Sequence, residues 1–145
     1  FLDDELVGMT GLWDQKGFKQ TRITGYSKGI QYARPFYNLY TKIFGGLSLP
    51  PAGSLTSYVY LHSTVIKNND KQIFADLLAT ARDELANSPY DALVVGFDEN
   101  DPLHEVTDKY KKIELFSLYF MCGFGDDPMD DIGRDKLMYL ETARL

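Results

Sequence analysis

Leu55-Thr56-Ser57-Tyr58-Val59-Tyr60-Leu61-His62-Ser63-Thr64-Val65-Ile66 is the most strand-like run in the chain, and together with the segments after it, it decides the fold. Its apolar and β-branched content is nearly continuous, which predicts a central strand covered on both faces. Lys67-Asn68-Asn69-Asp70 is polar, and either Asn69 or Asp70 suits a helix N-cap. The helix is predicted over Lys71 to Ala86, where Ile73, Phe74, Leu77, Leu78, Ala81 and Leu85 form one broad stripe. Asn87-Ser88-Pro89 stops it, and Ala92 to Phe97 reads as a second buried strand. A strand, a long helix and a strand in succession predict a parallel pair with a right-handed crossover. Asp98-Glu99-Asn100-Asp101-Pro102 then forms a polar loop past the carboxyl end of that strand. Ligands of open α/β sheets lie at such ends.

Upstream of this unit, Glu5 to Trp13 reads as a strand, and Phe18 to Tyr26 as a second extended piece between Gly17 and Gly25. A helix is predicted over Pro35 to Phe44. Pro35 suits its first turn, and Phe36, Leu39, Tyr40 and Ile43 recur at helical spacing. Gly45-Gly46 ends it, and Leu47 to Ser54 is a loop. Downstream, a short helix is predicted over Pro102 to Lys111, then strands over Glu114 to Phe124 and Lys136 to Arg144. The acidic stretch Gly125 to Gly133 joins those strands; its four aspartates lack the spacing of a calcium loop.

The 145 residues suit one domain, residues 1–145, with one core. A net charge of −6 argues against nucleic acid as a partner, since phosphate recognition needs clustered Lys and Arg. No apolar run reaches the roughly 18 residues of a membrane span, so no membrane partner is expected. The single cysteine, Cys122, cannot form an internal disulfide, which points to a reducing, cytoplasmic setting. It lies in an apolar-aromatic run and reads as a small buried hydrophobe rather than a thiol nucleophile. No metal site is expected.

The order from Glu5 onward is strand, insert, strand, helix, strand, helix, strand, strand. With this order, Asp4-Glu5-Leu6-Val7-Gly8 resembles the turn into the third strand of the GNAT superfamily, the acyl-CoA-dependent N-acetyltransferases. Trp13-Asp14-Gln15-Lys16-Gly17-Phe18-Lys19-Gln20-Thr21 resembles a stretch of a divergent bacterial GNAT-like subgroup. Leu93 to Asp101 looks like the fifth strand and the Asn-bearing loop after it, and Tyr110 matches the tyrosine of the family's Asn…Leu-Tyr pattern. The resemblance covers about the whole chain, without the family's first strand and helices, and an upstream segment is expected to supply them. It implies a mixed, largely antiparallel α/β sheet with a central parallel strand pair and flanking helices.

The resemblance also implies acetyl-CoA as the co-substrate and a small-molecule or protein amine as the acceptor. Family members bind the CoA pyrophosphate with a Gln/Arg-x-x-Gly-x-Gly/Ala turn before the third helix, using backbone N–H groups. Here Asn69, Gln72 and Phe74 hold the diagnostic positions and none matches, while Asp70 places a carboxylate beside them. Val65, Ile66, Lys67, Asn69, Lys71, Gln72 and Asn100 are the candidate cofactor contacts. Tyr110 is the implied acid for the departing thiolate. Glu99 and Asp98 are candidate bases for the amine, and His62 is a further candidate because its ordinary pKa lies near neutrality. His104 reads as a surface residue.

The residues leave two functions open: an acetyl-CoA-dependent N-acetyltransferase, or a non-catalytic GNAT-like structural or ligand-sensing domain that has lost CoA binding. A third reading makes the tyrosine-rich insert Tyr26 to Tyr40 an interaction surface, including a homodimer contact.

Overall fold

The computed structural model describes residues 4–118, 124–125 and 130. Its elements are strand β1 (Gly8–Trp13), helix α1 (Lys28–Phe44) and strand β2 (Tyr58–Ile66). After a 3-10 turn (Lys67–Asn69) come helix α2 (Lys71–Leu85), strand β3 (Ala92–Val94) and a 3-10 helix (Pro102–Lys109). The sheet is mixed, in the order β1-β2-β3. β1 runs antiparallel to β2, and β2 runs parallel to β3. The chain is thus an α/β fold, and the predicted strand–helix–strand unit is its centre.

That unit carries the core because its sequence periods agree with its packing. One face of β2 lays Leu61 and Ile66 against the α2 stripe of Phe74, Leu78 and Ala81, with Leu103 from the 3-10 helix closing the group. Phe74 is 0% exposed. Leu93, Val95, Phe97 and Tyr110 pack on the margin. Gly8 is required here, since a Cβ would stand 2.8 Å from the Ile73 side chain.

Several predicted elements change in detail. β3 pairs only over Ala92 to Val94, so the strand expected to reach Phe97 leaves the ladder three residues early. Val95 and Phe97 turn toward the core instead. The extended piece at Phe18 to Tyr26 is a single bridge, Arg22 to Leu55. Residues 114–118 carry no strand, and the rest of Glu114 to Phe124, all of Lys136 to Arg144, Cys122 and most of the acidic loop lie outside the described residues. Val65 is largely exposed, so β2 is covered on both faces only through Val59, Tyr60 and Leu61.

The largest change is in α1. It begins at Lys28, which places Pro35 inside the helix rather than in its first turn. Its orientation is also reversed relative to the usual rule. Thr41 is its one buried residue. Asn38 Nδ2 and Arg34 Nε both donate to the Leu49 carbonyl at 2.9 Å, and Asn38 Oδ1 accepts from Leu49 N–H at 2.8 Å. Thr41 Oγ1 lies 3.2 Å from Ser48 Oγ. The polar face therefore grips the loop after the helix, and Phe36, Leu39, Tyr40 and Ile43, spaced like a core stripe, face outward. No helix among the described residues is long and apolar enough to cross a membrane.

Candidate functional site

The turn from β2 into α2 is the place to test for an anion site, because a helix start leaves four backbone N–H groups without intrahelical partners. Three of those four are engaged here. Asp70 Oδ1 accepts from Gln72 N–H at 2.8 Å and from Ile73 N–H at 3.2 Å, and Asp70 N–H itself donates to the Lys67 carbonyl at 3.2 Å. Of the two candidate caps, Asp70 is the one used. Asn68 and Asn69 both take positive φ, 58° and 50°, which short polar side chains tolerate better than most. They tighten the chain so that Asp70 arrives over the helix end. The capping carboxylate thus sits on the amides that a pyrophosphate would need.

The flanking lysines form exposed ion pairs. Lys67 Nζ lies 2.7 Å from Glu5 Oε1, and Lys71 Nζ lies 2.7 Å from Glu105 Oε2. Gln72 Nε2 donates to Asp76 Oδ1 on its own helix. Lys67 N–H bonds the Val7 carbonyl, continuing the ladder in which Val65 faces Met9 and Ile66 faces Gly8. Phe74 points wholly into the core and leaves the turn clear of its ring.

The loop after β3 lies at the same carboxyl end of the parallel pair as this turn, with the Phe97 ring edge-on to Phe74 at 5.7 Å. Asp98 Oδ1 accepts from Asn100 N–H at 2.9 Å, a local turn that leaves Glu99 and Asn100 exposed. Asp101 caps the 3-10 helix through Leu103 N–H. Tyr110 lies under Arg82, whose guanidinium carbon is 4.2 Å from the ring centroid. Arg82 is in the last turn of α2, eleven residues beyond Lys71, about 16 Å along the helix axis. A shallow hollow of about 250 Å³ lies at that same far end, lined by Arg82, Leu85, Tyr90, Asp91 and Leu93 among others. Tyr110 meets Arg82 and Lys109 and packs on the margin of the core.

His62 is held in the sheet. Its ring meets Trp13 edge-on at 5.6 Å, and its Nδ1 lies 3.0 Å from Ser63 Oγ. Gly11 makes the room, because a Cβ there would stand 2.5 Å from His62 Nε2. The pairing slips at this point: Met9 faces Val65 but Gly11 faces His62, so Thr10 stands opposite both Ser63 and Thr64. Ser63 takes a positive φ of 51° in this bulge. His104 is half exposed, with Nε2 3.4 Å from Glu114 Oε1.

The Trp13-Asp14-Gln15-Lys16 stretch is a clasp across the sheet end. Asp14 Oδ2 accepts from Tyr90 Oη at 2.8 Å, and Lys16 Nζ donates to Ser57 Oγ at 2.6 Å while lying over the Tyr90 ring. Bonds from the Lys16 backbone and from Tyr90 hold the Asp14 carboxyl below its ordinary pKa. Ser57 Oγ donates to the Pro89 carbonyl, so the Lys16–Ser57 pair ties chain segments together rather than activating a nucleophile. Burial, with Tyr58 as hydrogen-bond partner, pushes the Tyr60 phenol up to about 12. Among the described residues no group of His, Cys, Asp and Glu could hold a metal ion.

Charge is distributed along the chain in a way that no motif marks. Between Gln15 and Asn69 there is no Asp or Glu, while Lys16, Lys19, Arg22, Lys28, Arg34, Lys42 and Lys67 give this part seven positive charges. All 21 acids lie outside it, with the other eight cations. A count of charge by segment would have found α1 and its surroundings as a region apart.

No protein-family model, no curated protein and no solved structure matches this chain, so its functional reading rests on its own residues.

Proposed function

We propose that this chain is a GNAT-like α/β domain that has lost acyl-CoA binding and serves as a non-catalytic structural or ligand-sensing module. The observation that carries this reading is the Asp70 carboxylate on the Gln72 and Ile73 amides. A phosphate would have to displace that carboxylate or sit against it, and like charges at such range repel. The paired states of Lys67 and Lys71 support the same conclusion. The GNAT-like part of the reading is supported by the antiparallel β1-β2 pair beside the parallel β2-β3 pair, with α2 as the crossover. A cytoplasmic location, expected from the lone Cys122, belongs to the same proposal.

The test is thermal. A ligand that binds the folded state at 100 times its Kd adds about 2.7 kcal/mol of stability and raises the melting temperature by several degrees. Acetyl-CoA at millimolar concentration is expected to leave the melting temperature unchanged. A saturable rise would overturn the non-catalytic reading.

One observation favours the acetyltransferase reading. The β2-β3 ladder ends at Tyr60 and Val94 while β2 continues to Ile66, so the two strands part at their carboxyl ends. Such a parting is where a ligand of an α/β sheet lies. In that case acetyl-CoA would enter the opening, with Glu99 or His62 as base toward the amine and Tyr110 as acid.

A further inference from the structure

The outward face of α1 is an apolar surface that the described residues leave uncovered. Tyr32, Phe36, Leu39, Tyr40, Ile43 and Phe44 are all more than half exposed, with Tyr32 at 80% and Phe36 at 77%. Arg34, Asn38 and Thr41, on the opposite face, hold the Ser48–Leu49 loop. At the C-terminal end of the helix, Lys111 Nζ donates to the Phe44 and Gly45 carbonyls. The chain that continues from there exposes Ile113, Leu115, Phe116 and Leu118. A contiguous apolar surface rimmed by polar residues marks a docking site for protein or membrane.

Charge selects the occupant. Lys28 and Lys42 flank the apolar face, and α1 contains no acid. The acid-free segment from Gln15 to Asn69 carries seven cations, of which Arg34 lies on the opposite face of α1 and Lys67 pairs with Glu5, whereas the remainder of the chain is strongly acidic. A second copy of this chain is a poor match: in an antiparallel α1 pair, Lys28 of each copy would lie near Lys42 of the other, and like charges oppose the contact. An anionic surface is complementary. It attracts Lys28 and Lys42 and repels the acidic remainder of the chain, which favours approach by α1.

We propose that α1 docks on an anionic lipid surface. The helix would lie in the plane of the headgroups, with Phe36, Leu39, Tyr40 and Ile43 entering the acyl boundary and Lys28 and Lys42 meeting the lipid charges. A one-sided apolar helix with basic flanks is the form that binds this way, and lying on a membrane needs no spanning helix. The inference is independent of whether the domain binds CoA.

Co-sedimentation of the full chain with vesicles tests it. One set is phosphatidylcholine alone and the other an equal mixture of phosphatidylcholine and phosphatidylserine. The protein is expected to pellet with the mixed vesicles, to remain in solution with the neutral ones, and to be released in about 1 M salt, where the screening length falls to about 3 Å. Phe36→Ser with Ile43→Ser should lower partitioning at least tenfold, since each side chain loses its burial in the acyl boundary. Lys28→Glu with Lys42→Glu should lower it on the order of tenfold or more. Unchanged far-ultraviolet dichroism would confirm that both variants keep the fold, as all four side chains are exposed. No partitioning to mixed vesicles overturns the proposal, and so does equal partitioning by the wild type and the Phe36→Ser/Ile43→Ser variant. Pelleting without vesicles assigns the face to self-association and overturns it as well.

Discussion

α1 and α2 have the same kind of sequence and opposite fates. Each shows an apolar stripe at helical spacing. In α2 the stripe is the core, with Phe74, Leu78 and Ala81 closed off from water. In α1 the stripe is the surface, and the polar face does the holding. Their ends differ too. α2 starts under a carboxylate that satisfies its first amides, whereas α1 has no side-chain cap and carries Pro35 in its interior. A proline inside a helix removes one hydrogen bond and crowds the carbonyl one turn earlier, at about 3 kcal/mol. The periodicity of a helix thus shows that an apolar face exists and leaves open which side the protein itself covers.

The sharpest way to break the comparison is to truncate one aromatic in each stripe. Phe74→Ala should cost about 3–5 kcal/mol in chemical denaturation, because it opens a cavity in a closed core. Phe36→Ala should change stability by no more than about 0.5 kcal/mol, because the ring is already in water. Similar losses at both positions would mean that α1 packs inward after all.

Next in size is the bulge beside α2. Gly11→Ala sets a methyl against His62 Nε2 and should cost about 1–3 kcal/mol, seen as a lower denaturation midpoint with unchanged slope. Asn38→Ala removes both bonds to Leu49 and should cost about 1–3 kcal/mol. It should also raise amide exchange along α1 while leaving α2 protected, since α1 is held mainly by such polar contacts. Asp70→Ala should cost about 1 kcal/mol, the usual worth of an N-cap, with the effect confined to α2.

The last contrast is in pH dependence. Tyr60 has a folded pKa of about 12 against an ordinary 10, so its proton is held more tightly in the folded state. Its contribution is complete below pH 10 and is lost as the pH rises toward 12. Stability measured across that window should fall, and Tyr60→Phe should flatten the fall. The Asp14 carboxyl acts at the other end of the scale. Its folded pKa is depressed, so its contribution is present above the unfolded value and is lost as the pH drops through the folded one.

These contrasts explain what could be read from the residues. The β2–α2–β3 unit was legible because the α2 stripe is a local pattern and an aspartate before a helix is local chemistry. The orientation of α1 was not, because an amphipathic pattern has no sign. What turns it is a pair of bonds to Leu49, eleven residues past Asn38 in the chain. Pro35 suggested a helix start, yet the helix runs through it from Lys28. The Asp14 and Lys16 clasp had no local signal either, since its partners Tyr90 and Ser57 lie 76 and 41 residues away. Tyr110 could be assigned a role only by resemblance, and its contact with Arg82 is a tertiary fact.

The central claim is that the first turn of α2 is closed by its own aspartate. An amide-resolved NMR titration with acetyl-CoA tests it most directly, with attention to Gln72 and Ile73, whose N–H groups bond Asp70. Both resonances are expected to stay in place up to millimolar ligand. A saturable shift centred on those two amides would contradict the claim.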